Sequence, residues 1–390
     1  MRGHLKPVAR ILRASLSESP DRERLARLVA GGDMSALVEA ARYHRVIGLV
    51  HRALRGVPGL DDNVRARLDR FHRQGLVAHL HVLATLRRVR EALDPTGSPW
   101  LVVKGPALVE LAYRQAGLRL YQDLDLIIPR PSFAGSLERL ETSGFELVDR
   151  NWELIRRLMI GELVAAHESG IELDIHWDVR YDREIRRVVS ISTDELATRS
   201  RAVTVNGIPI RTLDATDTLV FLAFHATKQG GDKLIWLKDL ERTIANDPPS
   251  WPDVVERSRE SGLALFVGAM LLRARRTAGA AVPEEVLTEL LQNRAWRSAL
   301  SALDRVFPPE RSDGFGTPAT LVVRSMRPGV KSTLATASSG LRHRARRLLA
   351  TGTARRDENQ DDPDDPASRA FPTGEPGSRE RYLEEVMLEP

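Results

Sequence analysis

The sequence predicts an α+β fold, a small mixed sheet with helical segments before and after it in the chain. Three observations predict it. Apolar residues recur at helical spacing through about the first 95 residues. Between 96 and 212 the pattern changes to short apolar runs that alternate with helical ones. From Asp214 onward it is helical again.

Bulk composition bounds the classes. The chain has 390 residues, too many for one ordinary core, so two or more units are expected. Hydrophobic residues at 42% and charged residues at 28% are those of a soluble globular protein. There are no cysteines, which excludes disulfides, zinc-thiolate sites and thiol nucleophiles and suits a reducing, cytoplasmic location. The start "MRGHLKPVARILRASL" is basic without a long apolar core, so no signal peptide is expected. The longest apolar stretch, Gly262–Leu272, is too short to span a membrane. The net charge of +5 is uneven, with residues 321–356 rich in Arg and Lys and Asp357–Pro366 acidic, but the arginines are spread along helical stretches with no aromatic stacking pattern, so no nucleic-acid partner is expected.

In chain order, "SPDRERLARLVAGG" reads as a helix, with Pro20 near its start and Gly31-Gly32 past its end. Asp33–Gly56 repeats apolar residues at three- and four-residue spacing, which sets His44 and His51 on one helix face as packing residues. The run from Asp61 to Leu93 is one long helix, or two joined near Gly75. "PWLVV" is then a buried strand, "PALVELAYRQA" a helix, "LDLII" a strand, "SFAGSLERLETSG" a helix and "FELVD" a strand. "ELVAAHE" and "IELDIHWDV", separated by Ser169-Gly170, form a hairpin. Helices follow: "DATDTLVFLAFHATKQGG", "DKLIWLKDLERTIAND", "SWPDVVERSRESG", "LALFVGAMLLRARRTAG" and "PEEVLTELLQNRAWRSALSALDRVF". The expected organisation is a helical segment at 1–95, a sheet-bearing core at 96–212, a helical domain at 213–350 and an acidic, mostly disordered tail at 351–390. That tail is expected to add little to stability, although "RERYLEEVMLEP" could form a short terminal helix.

The chemistry is concentrated in carboxylates. Side chains alternate faces along a strand, so Asp123 and Asp125 share one face while Leu124 and Leu126 share the other. Their Cα atoms lie roughly 6.5–7 Å apart, a spacing from which carboxylates converge on divalent cations. In "IELDIHW" the same alternation gathers Glu172, Asp174 and His176, and a third acid on a neighbouring strand would complete a hard-oxygen site suited to Mg²⁺. A DxD also occurs in haloacid-dehalogenase-type phosphatases and in many glycosyltransferases, but there it closes a strand. Here "RLYQ" precedes the acids and "LII" follows, so the acids open the strand. The chain has no GxxxxGK[ST], GxGxxG, GxSxG or HExxH motif.

Four separated motifs, "LVVKGPALVELAY", "GLRLYQDLDLII", "IELDIHW" and "HATKQGGDKLIWLKDL", together resemble the uncharacterised nucleotidyltransferases of the polymerase-β superfamily over about residues 30–245. The resemblance implies a polymerase-β-like nucleotidyltransferase sheet and Mg²⁺- or Mn²⁺-dependent transfer of a nucleoside monophosphate from an NTP to a small-molecule, sugar or protein acceptor. It implies Asp123, Asp125 and Asp174 as catalytic metal ligands, with Asp174 also a base for the incoming hydroxyl. Lys104, Gly105, Arg119, His176, Lys228 and Lys233 are the implied nucleotide-binding residues. One departure stands out. Most members follow the turn glycine with Ser, whereas here Gly105 precedes Pro106, so the phosphate grip must come from helix-start amides, Lys104 or Arg119. The alternatives are a fold that only binds, as a regulatory or toxin–antitoxin-like partner, and a DxD glycosyltransferase.

Overall fold

The computed structural model describes residues 5–32, 34–180, 183–312, 318–326, 369–370, 372 and 374–389. The expectations for the basic stretch after 326 and for the acidic run Asp357–Pro366 lie outside these residues. The fold is α+β with a small mixed sheet. Two compact units emerge, one helical and one bearing the sheet.

The helical unit takes the described parts of Met1–His79, Leu108–Tyr121 and Ala215–Ala337. Its second helix, Arg22–Ala30, starts where Asp21 accepts a hydrogen bond from the Arg24 N–H at 2.9 Å. The stretch Asp33–Gly56 is not one helix. It divides into Leu37–Tyr43 and Ile47–Leu54, with Arg45 in the left-handed region (φ 56°) between them. His44 and His51 therefore do not share a helix face. His44 is fully buried beyond the end of the first helix, and His51 stacks on His72 with ring centroids 4.1 Å apart. Asp62–Leu93 is continuous through Gly75 and contributes to both units. The helices Ala215–Lys228, Leu234–Asn246 and Ala264–Thr277 pack on one another through Leu219, Phe224, Leu237 and Leu271. The expected single helix over 283–307 is two, Glu284–Leu290 and Arg294–Val306, the second capped by Asn293. The Asn293 side chain accepts from the Ala295 N–H, a local bond that favours a new start over continuation.

Among the described residues, the sheet unit has strands β1 (Leu101–Val103), β2 (Asp123–Ile127), β3 (Glu146–Leu147), β4 (Glu162–Ala166), β5 (Glu172–His176), β6 (Arg201–Val205) and β7 (Ile208–Thr212). The first five form one sheet in the order β1-β2-β5-β4-β3. Only the β2–β5 pair is parallel. The β4–β5 hairpin is present, and the buried face of the three inner strands carries Leu124, Leu126, Leu163, Leu173 and Ile175, all excluded from solvent. Sequence reading overlooked β6–β7. Its turn is Asn206-Gly207, both in the left-handed region (φ 46° and 78°), which a two-residue hairpin of this twist requires.

The chain end is not a loose tail throughout. Helix Ser378–Leu388 packs on helices Trp152–Leu158 and Arg130–Thr142, and its Tyr382 is fully buried. The Trp177 indole N–H donates to the Tyr382 hydroxyl at 2.6 Å, and that hydroxyl donates to the Ile160 carbonyl at 2.7 Å. An aromatic ring seated this way stabilises by several kcal/mol, about 3–5 by large-to-small truncation. The short terminal helix expected in "RERYLEEVMLEP" is Ser378–Leu388, and its buried Tyr382 argues against the expectation that the tail adds little to stability.

Candidate functional site

The register of β2 against β5 builds the site. Parallel pairing sets Asp123 opposite Glu172, Asp125 opposite Asp174 and Ile127 opposite His176, all on the face away from the leucines. The antiparallel β4 then sets Glu162 opposite His176. One sheet face thus presents Asp123, Asp125, Asp174, His176 and Glu162 together.

Lys104 reaches this face from the turn after β1. Val103 pairs with Asp125, so the residue that follows the strand emerges beside that carboxylate. Lys104 takes a left-handed conformation (φ 52°), as does Gly105 (φ 29°). Two such residues in succession reverse the chain abruptly, and Pro106 opens the short helix Gly105–Leu108. A wider π turn, Val109–Tyr113, continues it and closes on Arg114 (φ 57°), so the helix expected through Ala116 ends sooner.

The electrostatics of the face are unbalanced. Asp125 is 3% exposed. Its Oδ1 lies 2.5 Å from Lys104 Nζ and 3.6 Å from His176 Nε2. Burial opposes ionisation of Asp125, but Lys104 and His176 outweigh it and hold the carboxyl well below its usual range. Burial likewise works against the Lys104 charge, and Asp125, with Asp123 and Asp174, raises its pKa above the ordinary value. Asp174 behaves oppositely. Burial first, and the Asp125 charge second, push it up to about 7. His176 turns its other ring nitrogen, Nδ1, toward Glu162 at 3.3 Å.

The donor set, three carboxylates on one sheet face, has the chemistry of a hard divalent cation site. Among the described residues no three such groups converge to hold a metal, and the Lys104 ammonium takes the position beside Asp125.

The remaining sequence-derived residues belong to the helical unit. Arg119 grips Asp239 with both nitrogen arms, Nε at 2.9 Å from Oδ1 and Nη2 at 3.1 Å from Oδ2, and the Tyr113 hydroxyl donates to Asp239 at 2.7 Å. Lys233 lies over the rings of Tyr43 and Trp236, at 5.7 Å and 5.3 Å. Lys228 lies over Phe224, and the His225 ring meets Trp236 edge-on. Trp236 and Asp239 are core residues of this unit.

Glu162 is the site neighbour that sequence reading missed. A signal existed, because counting seven residues outward from Ser169 in each direction pairs it with His176.

A family model described as uncharacterised nucleotidyltransferase matches residues 30–279. Among solved structures, the antibiotic-resistance factor ANT(2'')-Ia is similar at 16% identity, covering 57% of this chain and 94% of that one, with a TM-score of 0.28. An antigenic nucleotidyltransferase-like protein from Paracoccidioides brasiliensis is similar at 17% identity, covering 57% and 93%, with a TM-score of 0.33. Both likenesses are too distant to bear on activity. No curated protein matches the chain. Among the described residues no helix is long and apolar enough to cross a membrane.

Proposed function

The chain belongs to the uncharacterised nucleotidyltransferase family, and from that premise we propose that it moves a nucleoside monophosphate from an NTP to a hydroxyl of a small-molecule, sugar or protein acceptor, with Mg²⁺ or Mn²⁺ required. The observation that carries the proposal is the parallel β2–β5 register, which sets Asp125 and Asp174 side by side with Lys104 against them.

Asp123, Asp125 and Asp174 would hold the divalent cation, which when bound supplies charge neutralisation at the phosphates. Asp174, the strand partner of Asp125, is the candidate proton acceptor for the incoming hydroxyl. The acceptor oxygen bonds to the α-phosphorus as the bond from that phosphorus to the β-bridging oxygen breaks. Pyrophosphate leaves, and the hydroxyl proton passes to the carboxylate. Lys104 and the backbone N–H groups after Gly105 supply positive charge for phosphate oxygens in place of a turn serine.

A second reading, a fold that binds without catalysing, is favoured by the Lys104–Asp125 contact and by Pro106. The test is incubation of the full-length protein with each α-labelled NTP, Mg²⁺ and a cell extract. Label is expected in an acceptor product, and its loss is expected with Asp123→Asn combined with Asp125→Asn. Equal labelling by that double variant would overturn the catalytic assignment, and no labelling from any NTP would favour the binding reading.

A further inference from the structure

A line of charge runs from the acid cluster to the end of the chain. His176 stands between Asp125 on one side and Glu162 on the other, through its two ring nitrogens. Glu162 is in turn held by Arg369, whose Nη1 donates to Glu162 Oε1 at 3.1 Å and whose Nη2 donates to the Glu162 carbonyl at 3.1 Å. Nη2 also binds Asp149. Arg369 is 6% exposed and Asp149 2% exposed, so the pairing is shielded from water and salt. The backbone is fixed as well, because the Arg369 carbonyl accepts from the Arg150 and Asn151 N–H groups at 2.8 and 2.9 Å.

The same part of the chain locks the far end of β5. Trp177 follows His176 directly, and its indole is tied to Tyr382 in the terminal helix. The Trp177 and Asp178 N–H groups both donate to the Gly161 carbonyl at 3.0 Å, just before Glu162. A Cβ on Gly161 would stand 2.7 Å from the Arg180 carbonyl oxygen, so only glycine allows this approach of β4 to the exit of β5.

We propose that Glu162 and Arg369 are positioning residues for the acid cluster: Arg369 fixes the Glu162 carboxylate, and Glu162 sets the His176 ring, whose Nε2 faces Asp125 at 3.6 Å. The C-terminal segment is then a working part of the site and not an appendage. A buried guanidinium serves because its planar fork spans two acids at once, which a lysine cannot reproduce. A histidine held through one nitrogen presents the other in a set direction, and loss of such a support costs 10–100-fold in affinity or activity at metal-type sites. The inference rests on the nucleotidyl-transfer reading for what is being positioned, but not for the geometry.

The test uses full-length protein with Glu162→Gln, Arg369→Gln, Arg369→Lys and, as control, Arg379→Gln. Arg379 anchors the terminal helix to Glu141 and takes no part in the line. Two readouts are taken: the ¹⁵N signals of the His176 ring in metal-free protein, and Mn²⁺ affinity by electron paramagnetic resonance. Glu162→Gln and both Arg369 variants are expected to shift the His176 signals and to weaken Mn²⁺ binding about tenfold. Arg379→Gln is expected to change neither. Unchanged His176 signals in Glu162→Gln, in a variant that keeps its melting temperature, would overturn the proposal. So would equal effects in Arg379→Gln, which would reveal mere loosening of the helix. If the wild type binds no Mn²⁺ while Glu162→Gln and Arg369→Gln still shift the His176 signals, the positioning stands and the metal-dependent reading of the site falls.

Discussion

Two buried acids, one in each unit, make opposite use of a neighbouring cation. Asp239 in the helical unit is 1% exposed and Asp125 in the sheet unit 3% exposed. Asp239 is satisfied by the two arms of Arg119 and by the Tyr113 hydroxyl. Asp125 has the Lys104 ammonium 2.5 Å from Oδ1, and a second carboxylate, Asp174, is its strand partner. A carboxylate gripped on both oxygens is a structural joint, whereas one held by a single point charge with a like charge beside it is ready to exchange its partner. The difference follows from the cations. Arginine presents a planar fork that meets both oxygens of a carboxylate, and lysine presents a single point charge.

Substitution at the two acids is expected to separate activity from stability. Asp125→Asn should reduce pyrophosphate release from NTP on the order of a thousandfold, as loss of a charge-stabilising group does, with a smaller stability loss than at Asp239, because the like charge beside Asp174 is removed together with the partner of Lys104. Asp239→Asn should do the reverse at the level of folding. Breaking one side of a buried pair costs about 3–5 kcal/mol, read as a lower urea midpoint with an unchanged slope. A large stability loss in Asp125→Asn, or none in Asp239→Asn, would break the contrast.

Next in size is the terminal helix, which packs within the sheet unit. Deleting residues after 376 removes the Tyr382 ring from its site and is expected to destabilise by about 3 kcal/mol. A melting temperature equal to that of the full chain would show that the helix is dispensable.

The pH dependence of the metal-free protein sharpens the comparison further. The Asp174 carboxyl rises from 3.8 to about 7 on folding, so the folded state binds the proton more tightly. Stability from this group is present at low pH and falls as pH rises from about 4 to about 7. Denaturant titration should show that the slope disappears in Asp174→Asn. Buried His44, in the helical unit, works in the other sense. Burial lowers it from 6.5 to about 4, so its contribution is lost as pH falls through that window. Each is worth at most about 3–4 kcal/mol at 1.36 kcal/mol per unit, and the two oppose each other in the wild type. An Asp174→Asn profile that matches the wild type would contradict the assignment of the raised pKa.

Much of this was legible in the sequence, for identifiable reasons. The alternation of "DLDLII" and "IELDIHW" gave the faces, because a strand has a period of two and its leucines must go inside. The Ser169-Gly170 turn gave the hairpin. Local signals failed where long-range or backbone factors decide. The left-handed Arg45 that splits 33–56 leaves no mark in a helical pattern of apolar residues. The Asn206-Gly207 hairpin carries a readable turn signal, but Arg201, Thr204 and Pro209 break up the apolar runs on either side of it. Arg119 looks like a phosphate ligand by spacing alone, and only the fold reveals Asp239, 120 residues away in sequence, as its partner. Arg369 carries no sequence signal at all, because its role depends on a return of the chain to β4.

The most direct measurement is Mn²⁺ binding to the full-length protein by isothermal titration, with NTP present, for the wild type, Asp125→Asn and Arg119→Lys. The account predicts binding to the wild type, its loss in Asp125→Asn and its retention in Arg119→Lys. Binding that survives in Asp125→Asn, or that is absent from the wild type, would contradict the claim that the β2–β5 acids form a cation site.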